Sequence, residues 1–431
     1  MMPHTKLPEN IYQQYMYNYP HKTAYRALEA ALGDYFPKLK TTENTLYIHI
    51  PFCETKCGYC NLFTVASTKA TDFEPYLDAL ERQARAYAPH LQGVQFKNLV
   101  LGGGTPLMLT AQQLTRVFNM IKEILGIDLQ TINTVVETAP RQTTAEKLDV
   151  LRSFSVNRLS IGIESFIDNE LKSIYRFHSE QESEAAIALI LQRQFDVVNF
   201  DFIYGMPPQT PESLVYSLKK AVDYAAREIF VYPLYVKEQT GLHSRLDKDQ
   251  PRRYALYQHA QAYLTQAGYV QKSMRFFIKK ERDTALHTHC GFANTVALGA
   301  GARSYINELH FCDPFAVKQS ACRKTIDDYT TRTDFLSVKN GFIVNEEEQK
   351  RIFVIKNILH CEGIDSNVYQ HYFKNPLLHD FPQLHEWLAQ AYAVNDGANY
   401  RLTPLGLSLS DHLGASLMSE HVKQRMASYW N

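Results

Sequence analysis

Between residues 46 and 236, short β-rich apolar runs alternate with longer stretches in which apolar positions recur every three or four residues. The first kind predicts strands at 46–50, 98–101, 134–137, 158–161, 197–203 and 228–235. The second predicts amphipathic helices such as 73–87, 111–125, 180–192 and 211–225. The last of these opens on Thr210-Pro211-Glu212, with proline at the first helical position, where its missing N–H costs nothing. Strict alternation of this kind implies an α/β fold with a parallel sheet and right-handed crossovers. By pattern alone, six such units suit a partial barrel or an open doubly wound sheet equally well. Either would gather a ligand at the C-terminal ends of its strands.

Beyond residue 235 the alternation fades into a helix at 253–266, a strand at 274–278 and a small-residue run at 297–303. From residue 345 the pattern changes class. A helix at 346–359, two shorter helical pieces, a hairpin at Asn395-Asp396-Gly397 and a last helix from Pro404 predict a small, mainly helical, winged-helix-like domain. The expected organisation is an aromatic-rich extension (1–40), a barrel (41–240), an accessory segment completing the core and covering the site (241–344) and the C-terminal domain (345–431).

Length supports more than one unit, since 431 residues exceed the ~250–300 at which single cores stop growing. Composition is ordinary for a globular chain. Charge is more informative: Lys plus Arg and Asp plus Glu both total 45, so no bulk positive field points to nucleic acid or an anionic membrane. The winged-helix-like domain carries ten acidic residues against seven Lys and Arg, which argues against reading DNA. No apolar run approaches a membrane span, and the first ten residues lack the apolar core of a signal peptide. The seven cysteines, an odd number, do not form a disulfide framework, so a reducing cytoplasm is the expected location.

Three of those cysteines carry the chemistry. Cys53, Cys57 and Cys60 follow directly on a strand in Leu46-Tyr-Ile-His-Ile-Pro-Phe-Cys53-Glu-Thr-Lys-Cys57-Gly-Tyr-Cys60. A structural zinc needs four ligands, and no fourth cysteine follows until Cys290. Three thiolates can instead hold three corners of a four-iron cluster, leaving the fourth iron open to a small molecule. The blander readings are a zinc knuckle completed by His49 or a remote residue, or three cysteines acting as small hydrophobes. Gly102, Gly103 and Gly104 close the second strand, where a missing Cβ lets backbone approach a ligand or simply permits a tight turn.

This constellation resembles the radical S-adenosylmethionine superfamily, in the branch of oxygen-independent coproporphyrinogen III oxidase and its haem-chaperone paralogue. The resemblance rests on Tyr47-Ile-His-Ile-Pro-Phe-Cys53, the cysteine trio, Gly102-Gly-Gly-Thr-Pro106, Arg158-Leu-Ser-Ile-Gly162 and Asp201-Phe-Ile-Tyr-Gly-Met-Pro207. It implies a partial (β/α)6 barrel with a [4Fe-4S] cluster on Cys53, Cys57 and Cys60 at its open top. It also implies S-adenosylmethionine chelated to the open iron and cleaved by one electron to a 5′-deoxyadenosyl radical that abstracts hydrogen. By the same resemblance Gly102, Gly103, Gly104 and Thr105 hold the methionine end, Glu137 binds the ribose, and Tyr47 and Tyr59 pack near the cofactor.

A second S-adenosylmethionine site is matched only in part. Arg176 and Asp201 stand at its basic and acidic positions, while Glu164 stands where the family has glutamine, replacing a donor–acceptor amide with an acceptor-only carboxylate. Arg176 and Asp201 serve equally well as structural ion-pair residues. The branch implies a small-molecule substrate, a tetrapyrrole or related anionic macrocycle, and an electron donor such as flavodoxin or ferredoxin. The sequence singles out no catalytic side chain. It also departs from both named members: Asn61 follows the trio where the oxidase has a further cysteine, and His287-Thr-His-Cys-Gly-Phe-Ala-Asn294 replaces the chaperone's histidine-containing stretch. A carrier that binds haem through His287, His289 or Cys290, without turnover, is the competing reading.

Overall fold

The computed structural model describes residues 7–12, 15–16, 18–41, 43–237, 239–245, 249–282 and 293–429. They divide into two compact units, one of Tyr25–Asp247 and Ala293–Ile343, the other of Met1–Ala24, Lys248–Phe292 and Val344–Asn431. The partition departs from four consecutive segments. The region expected as one accessory segment is shared between the units, and the C-terminal residues fold together with two earlier stretches of chain.

The larger unit is built on one sheet. Its strands are β1 (Arg26–Ala31), β2 (Asn44–Ile50), β3 (Phe96–Gly103), β4 (Asn133–Thr138), β5 (Arg158–Glu164), β6 (Val197–Tyr204), β7 (Glu228–Pro233), β8 (Asn294–Leu298), β9 (Ser304–Ile306), β10 (Leu309–Phe311) and β11 (Ser337–Ile343). From β2 to β7 they are parallel and adjacent in chain order, as the alternation predicts. Beyond the other edge of β2 the sheet continues through β8, β9, β10, β11 and β1. Strand β8, which leads into the small-residue run, is itself parallel to β2 and is a seventh parallel strand that periodicity does not reveal. The remaining pairs are antiparallel.

The helices between the strands start where local signals place them. Thr110 with Gln113, Ser179 with Glu182 and Thr210 with Ser213 form reciprocal capping boxes, each satisfying two N-terminal amides. The predicted helix at 111–125 is α-helical through Asn119 and continues as a π-turn over Met120–Ile124.

Along the parallel strands the side chains divide by period two. Leu46, Ile48, Leu99, Leu101, Leu159, Ile161, Phe200, Ile229 and Val231 are fully buried. The other face carries Tyr47, Glu137, Arg158, Ser160, Asn199 and Asp201, which register brings side by side (Glu137↔Ser160↔Asn199 and Gly162↔Asp201). Here Asn199 Nδ2 donates to Ser160 Oγ at 2.7 Å and Arg158 pairs with Glu228 at 2.6 Å. A polar face on an otherwise apolar sheet needs such partners, because each unpaired buried polar group costs ~1–3 kcal/mol.

In the smaller unit, helix Glu346–Ile358 is followed by strand Ile364–Asp365, helices Ser366–Phe373, Leu377–Asp380 and Leu384–Ala389, and the hairpin Ala393–Asn395 with Asn399–Leu402. All three strands are antiparallel, with Asn399–Leu402 in the middle, which is a winged-helix order. The single helix expected from Pro404 is three: Pro404–Ser408, Ser410–Ser416 and Glu420–Ala427. Buried polar pairs tie the segments of this unit together. Arg275 meets Asp411, Tyr19 donates to Glu348 at 2.5 Å, and Ser419 donates to Glu348 at 2.6 Å. No helix among the described residues is long and apolar enough to cross a membrane.

Candidate active site

The cysteine loop hangs from the C-terminal end of β2. Its base is closed by a short parallel pairing of Phe52 with Val65 and Cys53 with Ala66. Its middle is held through Gly58, whose N–H donates to the Ile174 carbonyl at 2.9 Å and whose own carbonyl accepts from Leu242 N–H at 2.8 Å. A Cβ on Gly58 would lie 2.5 Å from the Tyr175 ring, so glycine is required by packing. The His49 ring, one turn of the pleat below, bonds through Nε2 to the Phe63 carbonyl at 2.9 Å. Beneath the loop, Ile174, Ile203, Met206, Leu234 and Leu242 form an apolar cluster against which Tyr59 and Tyr175 pack.

Each of the three sulfurs faces a hydrogen-bonding group. Thr105 Oγ1 donates to Cys53 Sγ at 3.7 Å, Arg176 Nη1 to Cys57 Sγ at 3.6 Å, and Thr64 Oγ1 lies 3.6 Å from Cys60 Sγ. Burial pushes the Cys53 thiol up to about 12, with the neighbouring Cys60 and Cys57 sulfurs adding to the shift, and burial raises Cys57 too. Three mutually interacting thiols, each met by a hydrogen-bonding group, suit thiolates neutralised by a shared metal cluster. A four-iron cluster, which takes each thiolate on a different iron, fits this donor set better than a zinc knuckle.

Beside the loop, the end of β3 forms a cradle. Gly104 N–H donates to the Ile50 carbonyl at 2.8 Å, and a Cβ there would lie 2.6 Å from the Phe52 carbonyl and 2.9 Å from Cys53 Sγ. Gly103 adopts φ +119° and donates its N–H to Glu137 Oε2 at 3.1 Å. A Cβ on Gly102 would sit 2.8 Å from that same oxygen. The glycines therefore admit the Glu137 carboxylate as well as any ligand. Burial pushes the half-buried Glu137 carboxyl up to about 7, the Gly103 N–H opposing the shift and the nearby Asp201 reinforcing it. Tyr47 shares a 2.9 Å hydrogen bond with His49 Nδ1.

Glu164 and Arg176 complete the end of the barrel. Glu164, 8% exposed, lies at a register shift in the pairing of β5 with β6 and has φ +63°. That bulge aims its carboxylate at Arg176 Nη2, 3.0 Å away, and at the Tyr59 hydroxyl at 3.3 Å. Burial pushes the Glu164 carboxyl up to about 7, the Arg176 charge working against the shift.

The candidate residues thus gather toward one end of the parallel strands. Arg176 pairs with Glu164, while Asp201 accepts from Ser160 at 2.8 Å and Asn199 at 2.9 Å, held there by the period of the strands. Thr105 directs its hydroxyl to the Cys53 sulfur. Sequence reasoning missed Thr64 and Gly58, and it passed over Ser160 and Asn199, whose signal was polar residues at alternate positions of apolar strands. His287, His289 and Cys290 lie outside the described residues.

Residues 47–221 match the radical SAM superfamily. The cofactors implied by that match are a [4Fe-4S] cluster and S-adenosylmethionine. Two kinds of relative are similar to the chain. It is 29% identical over 267 residues to the haem chaperone HemW of Bacillus subtilis, covering 60% of this chain and 70% of that protein. It is 28% identical over 341 residues to oxygen-independent coproporphyrinogen III oxidase of Escherichia coli, covering 72% of this chain and 73% of that enzyme. The solved structure of the E. coli oxidase superposes with a TM-score of 0.77 at 21% identity, covering 92% of this chain and 93% of that one. The fold is therefore shared with that structure nearly end to end.

Proposed function

We propose that the protein is a radical S-adenosylmethionine enzyme of the coproporphyrinogen-oxidase-like branch, acting on a tetrapyrrole or related anionic macrocycle. The observation that carries this reading is the convergence, at one end of the parallel strands, of three hydrogen-bonded thiols with the glycine–Glu137 cradle. Its assignment to the oxidase side draws support from extent: matches to oxidases span 72–80% of the chain, and matches to chaperones 60–62%.

In this reading Cys53, Cys57 and Cys60 hold the cluster, and Thr105, Arg176 and Thr64 orient their sulfurs. Gly102 and Gly103 let the methionine portion of the cofactor approach backbone, and the Glu137 carboxylate accepts from the ribose hydroxyls. When bound, the two cofactors supply carbon-radical chemistry by hydrogen abstraction, which no side chain can provide. The protein's part is orientation and exclusion of water, for which the apolar cluster under Tyr59 is suited. A flavodoxin or ferredoxin is the proposed electron source, and one S-adenosylmethionine is the proposed complement, because Arg176 is already paired with Glu164.

The test is anaerobic turnover of reconstituted protein with dithionite, S-adenosylmethionine and deuterated coproporphyrinogen III. We expect deuterium in 5′-deoxyadenosine, and loss of both product and iron in Cys57→Ser. Stoichiometric haem binding with no deoxyadenosine formed would replace the enzyme reading by the carrier reading.

A further inference from the structure

Of the three donors at the cluster cysteines, Thr105 and Thr64 are neutral hydroxyls and Arg176 is a cation. The Arg176 side chain is 16% exposed and immobilised from several sides. Nη2 donates to the Gly162 carbonyl at 2.8 Å and to Glu164 Oε1 at 3.0 Å, while Nη1 points at Cys57 Sγ. Gly162 makes room for it, since a Cβ there would stand 2.8 Å from Nη2 and 3.0 Å from Glu164 Oε1. Its main chain is anchored as well, with Arg176 N–H on the Leu171 carbonyl at 2.9 Å, two residues after the Ile174 carbonyl that grips the cysteine loop. The partner carboxylate is held in a left-handed conformation that costs a non-glycine residue about 1 kcal/mol or more. A strained residue on a bulge, aimed at a cation that is itself aimed at a cluster ligand, is a built arrangement.

We propose that the Arg176–Glu164 pair sets the reduction potential of the cluster: Arg176 raises it through its N–H contact with the Cys57 thiolate, and Glu164 lowers it by offsetting the guanidinium charge. Reduction adds one negative charge to the cluster and its thiolates. A fixed cation and N–H donor at a sulfur stabilise that charge more than the oxidised form, and a low-dielectric surrounding strengthens the effect. Arg176 is thus a positioning and tuning residue, and the glutamate in place of the branch's glutamine supplies the counterweight. The proposal rests on the trio holding the cluster.

The test is EPR-monitored potentiometry of the full-length reconstituted protein, at a pH where carboxylate and guanidinium are both charged, with iron counted in every sample. Arg176→Met should make cluster reduction at least tenfold less favourable, about 59 mV more negative for a one-electron couple. Arg176→Lys, which keeps the charge, should recover most of that loss. Glu164→Gln should move the midpoint the other way, to less negative potential. Should Arg176→Met fail to load iron, the sign of the Glu164→Gln shift decides the matter alone. Intact clusters with an unmoved midpoint in Glu164→Gln, or a shift to more negative potential there, would overturn the tuning role. Wild-type protein that loads no cluster would overturn the cluster assignment beneath it.

Discussion

Replacing Glu137 by glutamine should stabilise the empty protein and weaken its hold on S-adenosylmethionine. The carboxyl is displaced from 4.5 to about 7, chiefly by burial, so the folded state binds its proton more tightly than the unfolded chain does. For a carboxyl displaced upward, stability is fully present below the unfolded value, falls as pH rises from 4.5 to about 7, and is flat above. At ~1.4 kcal/mol for each pH unit the full displacement corresponds to about 3 kcal/mol, and water around a half-buried group reduces this to roughly 1–3 kcal/mol. Glutamine carries no such charge yet still offers an oxygen to Gly103 N–H.

Thermal unfolding followed by circular dichroism should show Glu137→Gln gaining on wild type between pH 4.5 and 7 by several degrees, at about 2–4 °C per kcal/mol. The gain should stay constant above that range. Calorimetry at alkaline pH should show S-adenosylmethionine affinity down by roughly tenfold or more, since a hydrogen bond to a charged acceptor contributes ~1.5–3 kcal/mol. Stability and binding would then move in opposite directions, as expected of a group placed for a ligand at the expense of the fold. A pH-independent stability difference, or unchanged affinity, would refute the reasoning.

Gly104→Ala should lower the iron content of reconstituted protein, because its Cβ would stand within 3.0 Å of both the Phe52 carbonyl and Cys53 Sγ. Iron analysis checks it, and full loading would show that the loop can yield. Asp411→Ala should destabilise the smaller unit by about 3–5 kcal/mol, since it removes the carboxylate paired with Arg275, whose side chain is 2% exposed. A melting temperature within a degree or so of wild type would show the pair to be dispensable. Ending the chain after Val344 should make the helix Gln250–Gln266 susceptible to limited proteolysis, because Ser408, which bonds Tyr254 at 2.7 Å, and Asp411, the partner of Arg275, would both be lost. Persistent protection of that helix would show that it holds without the C-terminal residues.

Much of the molecule was legible beforehand because its signals are local. The period-two and three-to-four-residue patterns located β2 through β7 and four of the helices between them to within a few residues, as capping and burial of one face act on neighbours in the chain. The trio Cys53, Cys57 and Cys60, the glycines at the end of β3 and the acid at the end of β4 were likewise evident, since a strand end delivers its following residues to the same rim every time. The hairpin at Asn395-Asp396-Gly397 announced itself through turn chemistry.

What remained for tertiary structure was long-range pairing. No local signal says that β8 lies parallel to β2, or that residues before 25 belong with those after 343. Those choices depend on which surfaces meet when the chain closes. Nor could spacing say that Arg176 would pair with Glu164: that partnership was decided by a bulge between β5 and β6, which turns one carboxylate off its strand's alternation toward a guanidinium twelve residues on. Ser160 and Asn199 then satisfy Asp201, because register brings them beside it. The residue types were written in the sequence, but which polar group faces which was settled only by the register of the folded sheet.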